Sequence, residues 1–260
     1  MKTGFDSAAE SYDDTFTNTS IGILQRKAVH AVLSDLFEIR KPEKVLEINC
    51  GTGTDALWLA DQGFKVIATD ISERMIEMAK AKDKCKSVHF EVAGFDTLAE
   101  KFNGSQFELI FSNFGGLNCL TKKELGFFFE DLGKITPPNA ILALVVMPKN
   151  TLWERFYFFA KGQWSEIQRR EKEFAIADVN GEKIVTFYHN PNEIVRLAKP
   201  AFKLNRVYPI GFFVPPSYLE PVFMKHPNIL ASLGKLERKI RKISWLARFS
   251  DHYCIILGKE

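Results

Sequence analysis

Through its first 147 residues the chain alternates short apolar or β-branched runs with stretches whose apolar residues recur every three or four positions. The runs predict strands at Lys44 to Ile48, Phe64 to Thr69, Val88 to Val92, Phe107 to Ser112 and Ala140 to Met147. Between them the periodic stretches predict helices at Ile21 to Phe37, Asp55 to Asp61, Glu73 to Ala81 and Lys122 to Ile135. Strands that alternate with helices in this way imply a parallel sheet covered on both faces, an α/β architecture wound in two directions.

The pattern changes after Met147-Pro148. Leu152, Trp153, Phe156, Tyr157, Phe158, Phe159 and Trp164 form an aromatic cluster at helical density. Two extended runs follow, Phe174 to Val179 and Lys183 to His189, around Asn180-Gly181, a strong signal for a two-residue hairpin turn. Residues 148–190 therefore read as a cap inserted into a core that begins in 1–147 and is completed by 191–260. In that last part we expect a helix from Pro191, a strand over Phe202 to Phe213, a helical region from Ser217 to Phe249 and a final strand, His252 to Leu257. Over 233–249 the helical pattern places Leu233, Leu236, Ile240 and Ile243 on one face and many lysines and arginines elsewhere, a basic amphipathic stretch whose apolar face is expected to pack on the fold, with peripheral contact with an anionic membrane as the alternative.

Composition narrows the choice of chemistry. The net charge of +3, from 35 basic and 32 acidic residues among 260, supplies no global field that points to nucleic acid. No run of eighteen apolar residues occurs and Met1 to Glu10 lacks an apolar core, so a cytoplasmic location is expected. The four cysteines show no Cys-x-x-Cys pair and the five histidines no metal-ligand spacing, so neither disulfides nor a metal is expected.

The chemistry concentrates in Val45-Leu46-Glu47-Ile48-Asn49-Cys50-Gly51-Thr52-Gly53-Thr54-Asp55-Ala56, a strand that runs through a glycine turn into a helix. Gly51 and Gly53 allow a tight turn and close approach of a ligand to backbone. Glu47, just ahead of them, repels a pyrophosphate but pairs with an amino-acid ammonium group. Asp70 ends the next strand, 17 residues after Gly53, where a carboxylate can accept bonds from both ribose hydroxyls. Ile71 and Met75 follow, placed to flank a flat adenine ring.

These residues, with the Asp70-Ile71-Ser72 run and the strand Phe107 to Asn113, resemble the class I S-adenosylmethionine-dependent methyltransferase family over roughly residues 5–147. The resemblance implies a Rossmann-like, mostly parallel seven-stranded sheet with an antiparallel last strand, and S-adenosyl-L-methionine as cofactor. It implies that Glu47, Gly51 and Gly53 hold the methionine moiety, Asp70 the ribose, and the Gly94-Phe95-Asp96 stretch the adenine, while Tyr12 closes over the cofactor as part of a lid. Asn49 stands where the family has its first glycine, a departure that asparagine tolerates in left-handed backbone. Asn113, at the mouth of the fourth strand, lies where ligands bind in such sheets.

The implied reaction is in-line methyl transfer to a small acceptor, apolar or aromatic in view of the cap. His189, at the end of the cap hairpin, is the candidate general base. Two alternatives remain from the residues themselves. One is an NAD(P)-dependent reductase, suggested by Gly51-x-Gly53-x-x-Ala56; the other is a non-catalytic interaction protein that keeps the cofactor fold.

Overall fold

The structure, a computed structural model, describes residues 5–179, 182–199 and 201–259. Five strands, β1 (Lys44–Ile48), β2 (Lys65–Asp70), β3 (Val88–Val92), β4 (Leu109–Ser112) and β5 (Ile141–Val146), pair in parallel. With β8 (Phe202–Ile210) and β9 (His252–Lys259), the sheet has seven strands among the described residues, in the order β3-β2-β1-β4-β5-β9-β8. Its last strand in sequence, β9, runs antiparallel between β5 and β8. The expected α/β fold, a doubly wound seven-stranded sheet with an antiparallel last strand, is what the chain adopts.

Both faces of the sheet are covered, which is why its central strands read as unbroken apolar runs. Alternate residues Leu46, Ile48, Ile110, Leu142 and Leu144 pack with α5 (Lys122–Ile135), α7 (Pro191–Ala198) and the short α4 (Leu98–Lys101). Val45, Leu109, Phe111, Ala143 and Val145 pack on the other side with α1 (Ser20–Ile39), α2 (Thr54–Asp61) and α3 (Glu73–Lys82). Capping boxes, Thr121 with Glu124 and Asn190 with Glu193, start α5 and α7 where these residues first permit them. Because the chain leaves β1 and β4 toward opposite faces, a crevice opens between their carboxyl ends, at Ile48 and Ser112, which are direct neighbours.

The cap consists of α6 (Leu152–Ala160), two short 3-10 turns, and a separate two-stranded sheet of β6 (Ala175–Val179) and β7 (Glu182–Thr186). The Asn180-Gly181 turn lies outside the described residues, and the strands around it pair in antiparallel register, Ile176 opposite Val185 and Ala177 opposite Ile184.

The C-terminal region departs from expectation. In place of one helix over 233–249, there are a short α8 (Glu220–Phe223), α9 (Pro227–Ile240), a turn, and a 3-10 segment at Ser244–Phe249. Nor is the inward face Leu233, Leu236, Ile240 and Ile243; it is Leu230, Gly234 and Glu237. A polar contact decides this. The Glu237 carboxylate accepts the backbone N–H groups of Gly211, Phe212, Phe213 and Val214, which pins the loop after β8 to α9 and rotates Leu236 and Ile243 outward. The helix then ends so that Leu246 and Ala247 can be buried and the chain can enter β9.

Candidate active site

A cavity of about 350 Å³ fills the crevice, within the range of small-molecule sites. The turn after β1 forms its floor. Asn49, Gly51 and Gly53 all have positive φ, at 50°, 54° and 77°, so three of five consecutive residues use left-handed backbone. Asparagine serves at the first because its side chain has somewhere to go. Its Nδ2 donates to the Asn113 carbonyl at 2.9 Å and its Oδ1 accepts from Ser112 Oγ at 2.6 Å. It lies against Gly116, where any Cβ would collide with it at 2.3 Å. The missing Cβ at 116, across the crevice, thus makes room for the side chain at 49. Gly53 does not line the cavity; it is needed because a Cβ there would meet Ala79 and Phe90 at 2.8–2.9 Å as α2 packs on the sheet.

Three carboxylates and one arginine set the electrostatics. Glu47 is 1% exposed, lines the cavity, and has no partner at Oε2. Burial, reinforced by nearby Asp55 and Asp70, raises its pKa well above the usual carboxylate value. Asp70 accepts Gly51 N–H at Oδ2 and Ser72 N–H at Oδ1, both at 2.9 Å, and burial still raises it despite those bonds. Asp55 behaves oppositely. Burial opposes its ionisation, but Arg26 at 2.5 Å and His30 at 2.6 Å outweigh that and bring it down to about 2; Asn113 Nδ2 donates to it as well, at 2.9 Å. His30 is held for this by a 3.8 Å stack on Trp58. Arg26 reaches in from the buried face of α1, lies over the Phe114 ring, and leaves its Nε without a partner at the cavity.

The N-terminal segment closes one side. Thr52 Oγ1 donates to Asp13 at 2.7 Å, Ser72 Oγ donates to Asp6 at 2.5 Å, and Arg74 pairs with Glu10 at 2.5 Å. Tyr12, carried on this strap, lines the cavity next to Gly51, and burial raises its hydroxyl pKa to about 12. Ile71, Met75 and Phe95 line the cavity beyond Asp70, but Asp96 does not. The far end is apolar: Phe114, Cys119, Leu120 and Met147 from the β4 and β5 ends, and Ala177, Ile184 and Thr186 from the cap hairpin.

His189 is not brought to the cavity, which corrects its placement beside the acceptor. It is 1% exposed, its Nε2 lies 2.9 Å from the Leu120 carbonyl, and burial lowers its pKa, so the neutral ring donates there. Its backbone N–H bonds to Met147 O and its carbonyl accepts from Tyr253, so it ties the cap to the end of β5. Asn118 does the same work, bonding both Met147 and Phe187.

Arg26, Asp55, Asn118 and the β4 exit loop are the parts of the site that pattern reading passes over. A signal existed for Arg26: with Gln25 it puts a cation among Ile21, Val29 and Leu33 on the inward face of α1. A Tyr-x-x-x-Lys spacing, the catalytic pair of many reductases, also occurs on α6, at Tyr157 and Lys161. The two side chains bond each other at 2.5 Å, but neither lines the cavity.

The chain is similar to known methyltransferases. Residues 45–139 match the family model described as a methyltransferase domain. Malonyl-[acyl-carrier protein] O-methyltransferase of Pseudescherichia vulneris is 29% identical over 150 residues, which are 58% of this chain and 54% of that protein. Demethylmenaquinone methyltransferase of Paenarthrobacter aurescens is 27% identical over 159 residues, 60% and 59% of the two chains. The match thus spans a little over half the length of these curated relatives. Among solved structures, the PH0226 protein of Pyrococcus horikoshii OT3 superposes with a TM-score of 0.61 at 18% identity, covering 96% of this chain and 99% of that one. Magnesium protoporphyrin IX methyltransferase from Synechocystis PCC 6803, solved with bound SAH, gives 0.59 at 15% identity, covering 92% and 85%. With the glycine turn, Glu47 and Asp70 arranged around one cavity, residues 45–139 match a methyltransferase domain and the chain as a whole shares the fold of solved S-adenosylmethionine-dependent methyltransferases.

Proposed function

We propose that the protein transfers a methyl group from S-adenosylmethionine to a small, apolar acceptor. The observation that carries this reading is the unpartnered Oε2 of Glu47, a buried carboxylate oxygen in the wall of a cavity that also holds Asp70. An ammonium group satisfies it; the pyrophosphate of a dinucleotide meets three carboxylates in its place, which argues against the reductase reading.

The residues fit the cofactor. Glu47 would hold the ammonium group, the Arg26 guanidinium the methionine carboxylate, and Asp70, with acceptor capacity left on both oxygens, the ribose hydroxyls. Ile71, Met75 and Phe95 supply apolar surface for the adenine, and Tyr12 on its strap excludes water. Bound there, the cofactor supplies an electrophilic methyl on a sulfonium. The chain's part is to align the acceptor with it in a dry pocket, which contributes about 7–11 kcal/mol in favourable systems.

Support for an apolar acceptor comes from the wall of Phe114, Leu120, Met147, Ala177 and Ile184. The relatives' names point the same way in part: one is named for a demethylmenaquinone, another, from Arabidopsis thaliana, for a tocopherol, while the first is named for malonyl-acyl-carrier protein.

Calorimetric titration with S-adenosylmethionine, S-adenosylhomocysteine and NADPH tests the proposal, followed by methyl-transfer assays with quinols and other apolar phenols. We expect binding of both sulfur compounds and turnover of an apolar acceptor. Binding of NADPH alone would overturn the cofactor assignment, and turnover confined to polar acceptors would overturn the acceptor class.

A further inference from the structure

The cap and the C-terminal helices share a small apolar cluster apart from the main core. Ile21, Val214, Leu219 and Leu230 are buried in it, and Trp153, Tyr157 and Phe223 pack against it. It binds α6, α8 and the start of α9 to one another: the Trp153 and Phe223 rings meet at 5.9 Å and Tyr157 and Tyr218 at 5.1 Å.

The outer sides of these adjoining elements are unusually apolar. On α6, Leu152, Phe156 and Phe159 recur at four- and three-residue spacing opposite buried Glu154, with Phe156 68% exposed. Trp164, 65% exposed, touches Phe159 edge-on. Val222 on α8 and Met224 just after it are exposed too, as are Ile229 and Leu236 on α9 and Ile243 and Trp245 beyond it. Single exposed apolar residues are ordinary; a run across three adjoining elements marks an interaction surface.

The charge beside it is one-sided. From Pro221 to Ser250 the chain has seven lysines and arginines and a single acid, Glu237. That acid is buried and spent on four backbone N–H groups. Asp35 answers Arg241 and Lys242, whereas Lys225, Lys235, Arg238 and Lys239 stand at the exposed surface. Around α6, Lys161 and Lys172 stand against Glu166 and Glu173, so the positive excess lies on α9.

We infer that this surface docks on an anionic lipid bilayer, the exposed aromatic and aliphatic side chains entering the headgroup boundary and the α9 cations meeting lipid phosphates. Large apolar side chains beside a basic run whose single acid is buried are the two components of interfacial attachment. A nucleic acid would use the cations but leave Phe156, Trp164 and Met224 exposed. The inference is independent of the acceptor's identity, since it concerns the outer surface and not the cavity.

Co-sedimentation of the full chain with vesicles of phosphatidylcholine containing 30% phosphatidylglycerol, compared with pure phosphatidylcholine, provides the test. Binding is expected with the anionic vesicles and is expected to weaken with salt. Replacing Lys235, Arg238 and Lys239 by Gln should lower the partition coefficient about a hundredfold, at about fivefold per charge removed. Phe156→Ser with Trp164→Ser should lower it without removing the salt dependence. These positions are exposed, and an unchanged thermal midpoint verifies that each variant folds; Lys84→Gln, just ahead of β3 at the sheet edge opposite β8, should leave binding intact. Equal sedimentation with both vesicles, none with either, or a concentration-dependent dimer abolished by the same aromatic substitutions would overturn the proposal, the last by assigning the surface to a second copy of the chain.

Discussion

The two ends of the cavity are built on different physical plans. The end at β1 and β2 is charged and held by backbone: Asp70 fastened to Gly51 and Ser72, Glu47 between strand and turn, Asp55 compensated by Arg26 and His30. The other end is apolar and assembled from distant segments, with Phe114 and Leu120 after β4, Met147 after β5, and Ala177 and Ile184 from the cap. A rigid, charged end suits a cofactor of fixed structure, whereas an apolar wall built partly of an inserted hairpin can be rebuilt for different acceptors without disturbing the first. That division predicts which substitutions separate cofactor affinity from acceptor use.

The largest effect is expected at Asp70. Asp70→Ala removes two charge-assisted bonds to ligand hydroxyls, at about 1.5–3 kcal/mol each, so calorimetry should show S-adenosylhomocysteine affinity falling by roughly a hundredfold or more. If affinity fell less than about threefold, the charged end would not be the cofactor end. Glu47→Gln comes next, and its signature is double. Because burial raises the Glu47 pKa in the unliganded fold, stability from that group is present below the unfolded value and is lost as pH rises through the folded one. The glutamine variant should therefore melt higher than the parent at pH 7 while binding the cofactor about 10–100-fold more weakly, the worth of one bond to a charged group. Titration of the parent in two buffers of different ionisation heat should reveal proton release on binding, absent from the variant. Asp55 carries the opposite sign: its pKa, down to about 2, gives stability present above the unfolded carboxylate value and lost as pH falls toward 2, on the order of 2 kcal/mol.

The same division explains what could be read in the chain beforehand. Glycines at 51 and 53 and acids at 47 and 70 lie at fixed offsets from strand ends, so local pattern alone locates them; the sheet was legible for the same reason. Asn49 was legible as an exception, but its compensation by Gly116 was not, because the two meet only through the pairing of β1 with β4. Arg26 and Asn118 act across 29 positions in sequence, on Asp55 and Met147, and nothing local marks such partners. Glu237 shows the limit most clearly. Hydrophobic periodicity put Leu236 and Ile243 on the inner face of the 233–249 stretch, and four backbone N–H groups in search of an acceptor reversed that choice.

A smaller effect should sharpen the comparison from the apolar end. Ile184, on the cap hairpin, faces the cavity, and its neighbour Val185 faces solvent. Ile184→Asp should raise the acceptor KM about tenfold or more, through desolvation of a carboxylate or loss of apolar contact, and leave cofactor affinity within about twofold. Val185→Asp, one residue on and pointing out, should change neither. Equal loss of cofactor affinity in both variants would mean that the hairpin serves the whole cavity and that the division fails.

The smallest effect is expected where a histidine invites the largest. His189→Gln keeps a donor toward Leu120 and should change kcat by less than about threefold, because the imidazole is buried away from the cavity wall. What should change is stability against pH. Burial lowers the His189 pKa, so the unfolded chain binds a proton near pH 6.5 that the folded chain resists; stability from this group is present above that pH and lost on acidification. Thermal melts between pH 5 and 7 should thus flatten in the glutamine variant while the pH dependence of kcat keeps its shape. A fall in kcat of a hundredfold, with the limb near pH 6 removed from the rate profile, would return the histidine to the chemistry and require the cap to move about its Leu120 and Met147 contacts during turnover.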